Sequence, residues 1–320
     1  ALPYFLDQFD VPVFGSELTI SLAKWYVEEA GLDIQFDDYH AIDEEVEIDF
    51  DGIVIRFFRT THTIPDSMGI AVRTDEGNIV YTGNFKFDQT ATGDYKTDYG
   101  QISEIGREGV LALLSDSMDA ESLSENVLES DVQAEVFKTF QETKGRIIVV
   151  AVASNILRIQ QVLDAASRFG RKVFISGRHI ESIMQIALDL EKLTLPEEDL
   201  FVPIHKIKDY EDEEIVILET GGAGEPIQTL DEMARGLHNQ VTIKKGDLVY
   251  IVTSPSSTME VMVAKTENQV YRAGGTVKTI SDNLKASGHA TPNDLQWMIN
   301  LLNPTYFIPI QGEYRMLAAH

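Results

Sequence analysis

"RIIVVAVASNILRIQQVLDAASRFGRKVFISG", residues 146–177, is the stretch of the sequence that decides the fold. It begins with a run rich in isoleucine and valine, continues with apolar residues at helical spacing, and ends with a second short apolar run. A buried strand, a crossover helix and a second buried strand produce this pattern, and strands joined in this way lie parallel. The stretch therefore predicts a βαβ unit.

The same alternation extends from about residue 110 to about residue 280. The other strand-like runs are "VLALLS", "EIVILE", "DLVYIV" and "TVKTI". The other helix-like runs are "SDVQAEVFKTFQETKG", "HIESIMQIALDLEKL", "IQTLDEMARGL" and "MEVMVAKTENQVYRAGG". Repeated βαβ units build a mostly parallel sheet wrapped by helices, so the sequence predicts the α/β class.

The first 115 or so residues have a different pattern, which predicts hairpins around one helix. Ser16 precedes the helical spacing of "ELTISLAKWYVEEA", and Gly31 can end that helix. The runs "VEIDF-DG-IVIRFFRT" and "IAVRT-DEG-NIVYTG" are two strand pairs joined by tight turns. Near the other end, "TPNDLQWMINLL" predicts a helix that leads into the strand "YFIPI". Its predicted buried stripe is Leu295, Met298, Ile299 and Leu302.

Length, charge and composition narrow the classes of function. A chain of 320 residues, 43% hydrophobic and 24% charged, has the length of about two globular domains. The lack of cysteine excludes disulfides, thiolate zinc sites and cysteine nucleophiles. A net charge of −26 argues against general nucleic-acid affinity, so any RNA contact must be local. The absence of a membrane-length apolar run and of a signal-peptide pattern predicts a cytoplasmic protein without membrane contact.

Polar side chains follow the predicted strands, where ligands of an α/β sheet gather. Taken singly, each has an ordinary explanation: a lone strand-end histidine is more often structural, and "TGGAGEP" suits a turn and helix start as well as an anion cradle. The short pattern "SGH" is common by chance. The strand-end residues are His62, Asn84, Asp116, Ser154, Asn155 and Gln311 in "QGEYR", and His289 in "ASGHA" lies near the end of the sequence.

The order of these segments resembles that of ribonuclease J, a metallo-β-lactamase-fold ribonuclease with an inserted β-CASP domain. The resemblance runs through "DVPVFGSELT", "THTIPDSMGIAV", "VYTGNFKFDQT", "LLSDSMDAE", "ASNILRIQQVLDAA", "TGGAGEP", "YRAGG", "ASGHA" and "YFIPIQGEYRML". It implies an αβ/βα sandwich domain from residues 1–117 and 284–320, incomplete at its N-terminus, and a β-CASP domain on a mostly parallel sheet at 118–283. In the family, "ALPY" comes directly after a histidine- and aspartate-rich HxHxDH motif, so that motif and the family's C-terminal domain are expected to be missing here.

The family's metal chemistry bears directly on three positions. Its members use two divalent ions, zinc or manganese, bridged by a carboxylate. The resemblance matches His62 to a metal-binding histidine, but places Asn84 at the bridging aspartate and Gln311 at another histidine ligand. An amide is a weak ligand for these ions. The degenerate positions Asn84 and Gln311 therefore predict at most one weakly bound ion.

The resemblance also assigns roles outside the metal ligands. His289 would contact the scissile phosphate or the transition state, and Asp116 also matches a catalytic position of the family. Three positions depart from the family: Leu157 replaces a histidine, and Gly222 and Ala223 replace a serine and a glutamine. The residues implied to bind RNA phosphate are Ser287, Lys285, Gly288, Ser154 and Asn155, with Lys285 in place of a histidine.

Three functions stay open at this point. The first is a barely catalytic subunit that supports an active ribonuclease J paralogue in RNA processing and decay, as a heteromer and also as a homodimer. The second is a slow manganese-dependent 5′-3′ exoribonuclease, and the third is a binding protein with no RNA role. The first two predict that His62, Asn84, His289 and Gln311 converge on one cleft between the two domains.

Overall fold

The computed structural model describes residues 2–32, 36–122, 127–176, 180–221, 225–253, 260–280, 284 and 287–320. The chain divides into two compact units. The first unit consists of Ala1–Asn126 and Gly288–His320, and the second of Val127–Ser287. Within the described residues, no helix combines the length and the apolar character that crossing a bilayer requires.

Thirteen strands, ten α-helices and three short 3-10 helices make up the described secondary structure. The strands are β1 (Val13–Gly15), β2 (Tyr39–Ala41), β3 (Glu47–Phe50), β4 (Ile53–Arg59), β5 (Met68–Thr74), β6 (Gly77–Tyr81), β7 (Val110–Asp116), β8 (Ile147–Val152), β9 (Lys172–Ser176), β10 (Ile215–Gly221), β11 (Leu248–Ile251), β12 (Thr276–Thr279) and β13 (Tyr306–Ile310). The helices are α1 (Leu2–Leu6), α2 (Glu17–Glu29), α3 (Tyr99–Glu108), α4 (Glu129–Glu142), α5 (Ile156–Arg168), α6 (Ile180–Asp189), α7 (Glu225–Arg235), α8 (Glu260–Ala273), α9 (Pro292–Leu302) and α10 (Tyr314–Ala319).

A six-stranded sheet forms the centre of the first unit, in the order β13-β7-β6-β5-β4-β3. The strands β3 to β6 form antiparallel pairs, whereas β7 lies parallel to both β6 and β13. The two predicted hairpins are confirmed. Asp51 and Gly52 turn the first of them with φ angles of 53° and 97°, values that an Asp-Gly turn supplies at low cost.

One face of this sheet packs against α3 and α9 and forms the core of the first unit. Thr291 caps α9 directly before Pro292, as predicted, and three of the four predicted stripe residues are buried while Ile299 is partly buried. The core residues are Phe58, Ala71, Val80, Phe85, Phe87, Ile102, Ile105, Val110, Leu113, Ala120, Ala290, Leu295, Met298 and Leu302.

The prediction of one helix in the first 115 residues is wrong, because α1 and α3 lie there as well as α2. α3 escapes detection because it contains two glycines and buries only Ile102 and Ile105. Gly106 weakens the helical pattern but is required by packing: a Cβ there would lie 2.1 Å from the Leu301 carbonyl oxygen. Tertiary contact with α9 therefore overrides local propensity.

The second unit is built on a five-stranded sheet in the order β12-β11-β8-β10-β9. Every pair in it is parallel, which confirms the α/β class and the parallel sheet. Its apolar core surrounds buried charge: the Arg158 side chain is 2% exposed and lies 3.4 Å from the Glu129 carboxylate. A second buried pair joins Arg146 to Asp247 at 2.6 Å. Charges removed from water in this way are paired, as burial demands.

Candidate active site

Backbone pairing brings the segment after β4 next to the segment after β6. Thr61 and Lys86 form an isolated antiparallel bridge, in which the Lys86 N–H donates to the Thr61 carbonyl at 2.9 Å. Thr61 is fully buried, and its hydroxyl lies 2.9 Å from that of Thr97. This pairing places His62 beside Asn84.

His62 is held through both ring nitrogens. Nδ1 lies 2.8 Å from the Gly288 carbonyl oxygen, and Nε2 lies 3.5 Å from Nδ2 of Asn84. Position 288 must be glycine for this contact, since a Cβ would lie 2.8 Å from His62 Nδ1 and 2.6 Å from Thr63 Cγ2. The predicted "SGH" residue Gly288 therefore supports the histidine sterically as well as by its carbonyl.

Burial lowers the pKa of His62 to about 4, although the hydrogen bond to Gly288 acts in the opposite direction. The imidazole is therefore neutral at physiological pH. It presents one N–H and one lone pair.

His289 and Asp116 form a second pair at the site. The His289 Nδ1–H donates to the Asp116 carboxylate at 2.7 Å, and the Asp116 side chain is 0% exposed. Burial acts to lower the pKa of His289, but the hydrogen bond and the charges of Asp116 and Asp119 raise it above the ordinary value. The ring centroids of His62 and His289 are 5.4 Å apart. The site thus combines a neutral imidazole with one that is more readily protonated.

Gln311 reaches the same edge of the sheet from β13. Ile310 is the register partner of Asp116, and Gln311 follows it with a φ of 61°. Its Nε2 lies 3.3 Å from the Tyr81 hydroxyl, whereas its buried Oε1 has no hydrogen-bond partner in the described part of the chain. The strand-end rule thus places Gln311 correctly at this edge.

Other residues predicted for the site belong to the second unit or lie outside the described residues. Ser154 is exposed, and Asn155 caps α5 by accepting from the Arg158 backbone N–H at 3.0 Å, so both belong to the second unit. Leu157 and Ser287 are half-buried in the same unit. Lys285, Gly222 and Ala223 lie outside the described residues.

Sequence reasoning missed a buried charge cluster behind the site. Lys86 is 3% exposed, and its Nζ lies 3.6 Å from the Asp88 carboxylate. Asp294 is also buried, and it forms a capping box with Thr291, the residue two positions after His289. The only signal in the sequence is the pair of charged residues in "NFKFD", within a segment that otherwise reads as apolar.

The described residues do not fit a pair of divalent ions. No group of three or more histidine, aspartate or glutamate side chains that could hold a metal is found among them. His62 Nε2 faces an amide nitrogen, and His289 is already bonded to the carboxylate of Asp116. A neutral amide also lacks the charge with which a carboxylate bridges two dications.

Two family models match the chain. "Ribonuclease J, beta-CASP domain" matches residues 144–270, and "Zn-dependent metallo-hydrolase RNA specificity domain" matches residues 276–320. Together with the sheets described above, they confirm a metallo-β-lactamase-type fold with an inserted β-CASP domain. The family named by the second model uses divalent metal.

Curated relatives match over all 320 residues. Proteins named Ribonuclease J 2 are 53% identical in Streptococcus pyogenes, 40% in Staphylococcus epidermidis and 41% in Staphylococcus aureus. All of this chain is covered in each case, but only 58%, 57% and 57% of those proteins, so the chain spans a little over half of their length. A solved structure of a protein of unknown function from Enterococcus faecalis shares the fold alone. Its TM-score is 0.67 at 15% identity, covering 94% of this chain and 70% of that one.

Proposed function

Because this chain belongs to the ribonuclease J family, we propose that it is part of a ribonuclease J-type subunit with little or no hydrolytic activity of its own. In this proposal the subunit binds RNA through its phosphates and supports an active paralogue in RNA processing and decay in the cytoplasm.

The contact between His62 and Asn84 carries the proposal. The resemblance to ribonuclease J places a bridging aspartate at position 84, and here the His62 ring faces an amide at 3.5 Å. Gln311, at another ligand position, is a neutral amide as well. Two-metal hydrolysis needs anionic and imidazole ligands that hold both ions, so these two exchanges remove hydrolytic power.

The phosphate side of the site keeps its chemistry. The Asp116 carboxylate favours the protonated form of His289, which can donate to a phosphate oxygen. Lys285, close to His289 in the sequence, carries a permanent positive charge. The family has at this position a histidine, which is mostly neutral at pH 7. RNA can therefore be held without being cleaved.

Association with an active paralogue is the second part of the proposal. The six-stranded and five-stranded sheets and the core of each unit are intact, so the surfaces that a family member uses to pair can persist after the chemistry is lost. A paralogue can replace one subunit of a symmetric pair because such surfaces are self-complementary. The same reasoning supports a homodimer.

A slow manganese-dependent 5′-3′ exoribonuclease is the alternative. His62 together with the Asp116–His289 pair favours it, because a histidine ligand and an acid-base pair are still close together. The third hypothesis, a binding protein with no RNA role, has no support in the matched RNA specificity domain.

The deciding experiment uses the purified full-length protein, alone and co-expressed with the active paralogue. Exonuclease activity on 5′-monophosphorylated RNA is measured with zinc and with manganese, beside metal analysis and co-purification. We expect RNA binding, a stable complex and at most a small fraction of the paralogue's rate. Strong activity of the isolated protein, or no complex with the paralogue, would refute the proposal.

A variant pair tests the phosphate contacts. Lys285→Ala combined with Ser287→Ala should weaken RNA binding and make it less sensitive to salt, because one phosphate contact is lost. Lys265→Ala, an exposed lysine on α8, removes the same charge elsewhere and should leave binding unchanged. Asn84→Asp alone should restore little activity because Leu157 and Gln311 remain.

A further inference from the structure

We propose that the Asn84 amide takes the place of a metal ion on His62, capping its ring nitrogen so that the site folds without metal. This inference deepens the proposed function and rests on it, since it explains how a degenerate site stays ordered. It concerns two side chains of this chain, and its test involves neither RNA nor a partner.

The Gly288 carbonyl fixes which nitrogen of His62 carries the proton. A carbonyl oxygen can only accept, so at 2.8 Å the Nδ1 of His62 must donate. A neutral imidazole has one N–H, and Nε2 is therefore left with a lone pair. This is the arrangement by which a histidine is oriented toward a metal when its other nitrogen is hydrogen-bonded to a carbonyl.

Asn84 meets that lone pair with a donor. Its Nδ2 lies 3.5 Å from His62 Nε2, so the amide N–H meets the lone pair that a metal ion would otherwise accept. An aspartate at position 84 would place oxygen lone pairs against the lone pair of Nε2. That contact needs a cation between the two groups, either a proton or a metal ion. One exchange of oxygen for an NH₂ group thus changes a site that requires a cation into one that does not.

The backbone holds the amide in position. Lys86, two residues after Asn84, donates to the carbonyl of Thr61, which precedes His62. His62 and Asn84 are thus fixed on facing segments, one and two residues from this buried backbone bridge. The cap therefore needs no movement of the chain.

The first test is thermal unfolding of the purified full-length protein in chelator and in excess zinc. The wild type should unfold at the same temperature in both. Asn84→Asp should be less stable in chelator and should gain about 5 °C or more in zinc, the shift expected for saturating metal. If Asn84→Asp is unfolded in chelator and folds in zinc, the conclusion is the same.

Two further variants distinguish the effect of the Asn84 amide donor from the general effects of a substitution or an added charge. Asn84→Ala removes the donor without supplying a carboxylate, so it should lose stability and gain none from zinc. Asn239→Asp introduces the same charge at an exposed position in the loop after α7 and should behave as the wild type does in both conditions.

Nitrogen NMR of histidine-labelled protein provides a direct readout. In the wild type without metal, His62 should show one N–H, on Nδ1, and a hydrogen-bonded acceptor at Nε2. In metal-free Asn84→Asp, both ring nitrogens should carry protons.

A wild type that loses stability in chelator, or gains as much from zinc as Asn84→Asp does, would overturn the inference. So would a wild-type His62 protonated on Nε2 alone. Neither result would depend on whether the protein binds RNA or a paralogue, so failure of the proposed function would be recognised separately.

Discussion

The Asp116 carboxylate controls the protonation of its neighbour His289. Asp116→Asn replaces the carboxylate with a neutral amide of the same shape, so burial is left as the main influence on the pKa of His289 and lowers it. We predict that the pKa of His289 falls below that of the wild type in this variant. Histidine NMR over a pH series measures it directly.

Asp119→Asn is the matched control for this prediction. The charge of Asp119 also raises the pKa of His289, but as the smallest of the named causes and without a hydrogen bond. Its replacement should lower the pKa less than Asp116→Asn does. An equal or larger effect at Asp119 would show that the hydrogen bond is not the main influence.

For individual residues, the sequence predicted which side chains come together at the candidate site, but it did not predict the contacts that hold them in place. His62 and Asn84 follow β4 and β6, and Asp116 ends β7, so strand order brings these three residues to one edge of a sheet. His289 follows no strand of that sheet and lies on the segment directly before α9. The steric need for Gly288 depends on a contact 226 residues away in sequence, which no local pattern reveals.

Among the elements, the crossover segment after β6 depends on a buried ion pair. Lys86→Met would leave the Asp88 carboxylate, whose side chain is 0% exposed, without the ammonium 3.6 Å away. We predict a loss of about 3–5 kcal/mol in the free energy of unfolding, the usual cost of breaking a buried pair. Urea unfolding checks it.

The exposed pair of Lys244 and Asp212 provides the comparison for that variant. Both side chains are about half exposed, so Lys244→Met should cost less than about 1 kcal/mol. Similar losses in the two variants would mean that Lys86 contributes no more than a surface charge.

A second ion pair ties β4 to the end of α3. Arg56 donates to both carboxylate oxygens of Glu108, and these hydrogen bonds lower the pKa of Glu108 below 4.5. A lowered folded-state pKa contributes stability above the unfolded value, and this contribution is lost as the pH falls through the folded value. Glu108→Gln should therefore be less stable than the wild type at pH 7, and the difference should shrink as the pH falls below 4.5.

Chemical unfolding at a series of pH values measures this difference. A gap between wild type and Glu108→Gln that stayed constant into acid would contradict the assignment. Glu76→Gln, in the exposed turn after β5, is a control for which no such gap is expected.

The elements that the sequence predicted correctly carry their own signals. α9 begins with a threonine cap and a proline and buries a regular stripe, so it is readable locally. α3 has two glycines where helix formers would be expected, and packing against α9 explains one of them, Gly106. Local propensity therefore identifies the elements that it stabilises, and it misses those that are stabilised by a neighbour.

On the scale of the whole molecule, the second unit contains everything its own fold requires. Its five-stranded sheet and its core both lie within residues 127–287. We predict that a protein of residues 127–287 unfolds cooperatively on heating, with the far-ultraviolet circular dichroism of an α/β domain. Calorimetry and circular dichroism measure both properties.

Residues 1–126 provide the contrasting fragment. This fragment lacks β13 and α9, so β7 loses a strand partner and the core loses Leu295, Met298 and Leu302. It should show no cooperative transition. Cooperative folding of this fragment, or its absence in 127–287, would show that the units do not fold as divided.

The order of segments along the sequence was sufficient to predict the fold class and the family, because both depend on that order. The domain limits and the roles of Ser287 and Lys285 stay predictions. So does the choice of partner, because surfaces that recognise another chain leave no periodic pattern in a sequence.

The two-part composition of the first unit affects how the protein is made on the ribosome. Translation delivers all of the second unit before Gly288, and α9 and β13 follow only within residues 288–320. Until they emerge, β7 is an open edge strand and one apolar sheet face is covered by α3 without α9, a state that favours aggregation. The first unit therefore stays incomplete until this segment is made, and a premature stop after the inserted unit would release a chain in which the sheet edge at the candidate site has never formed.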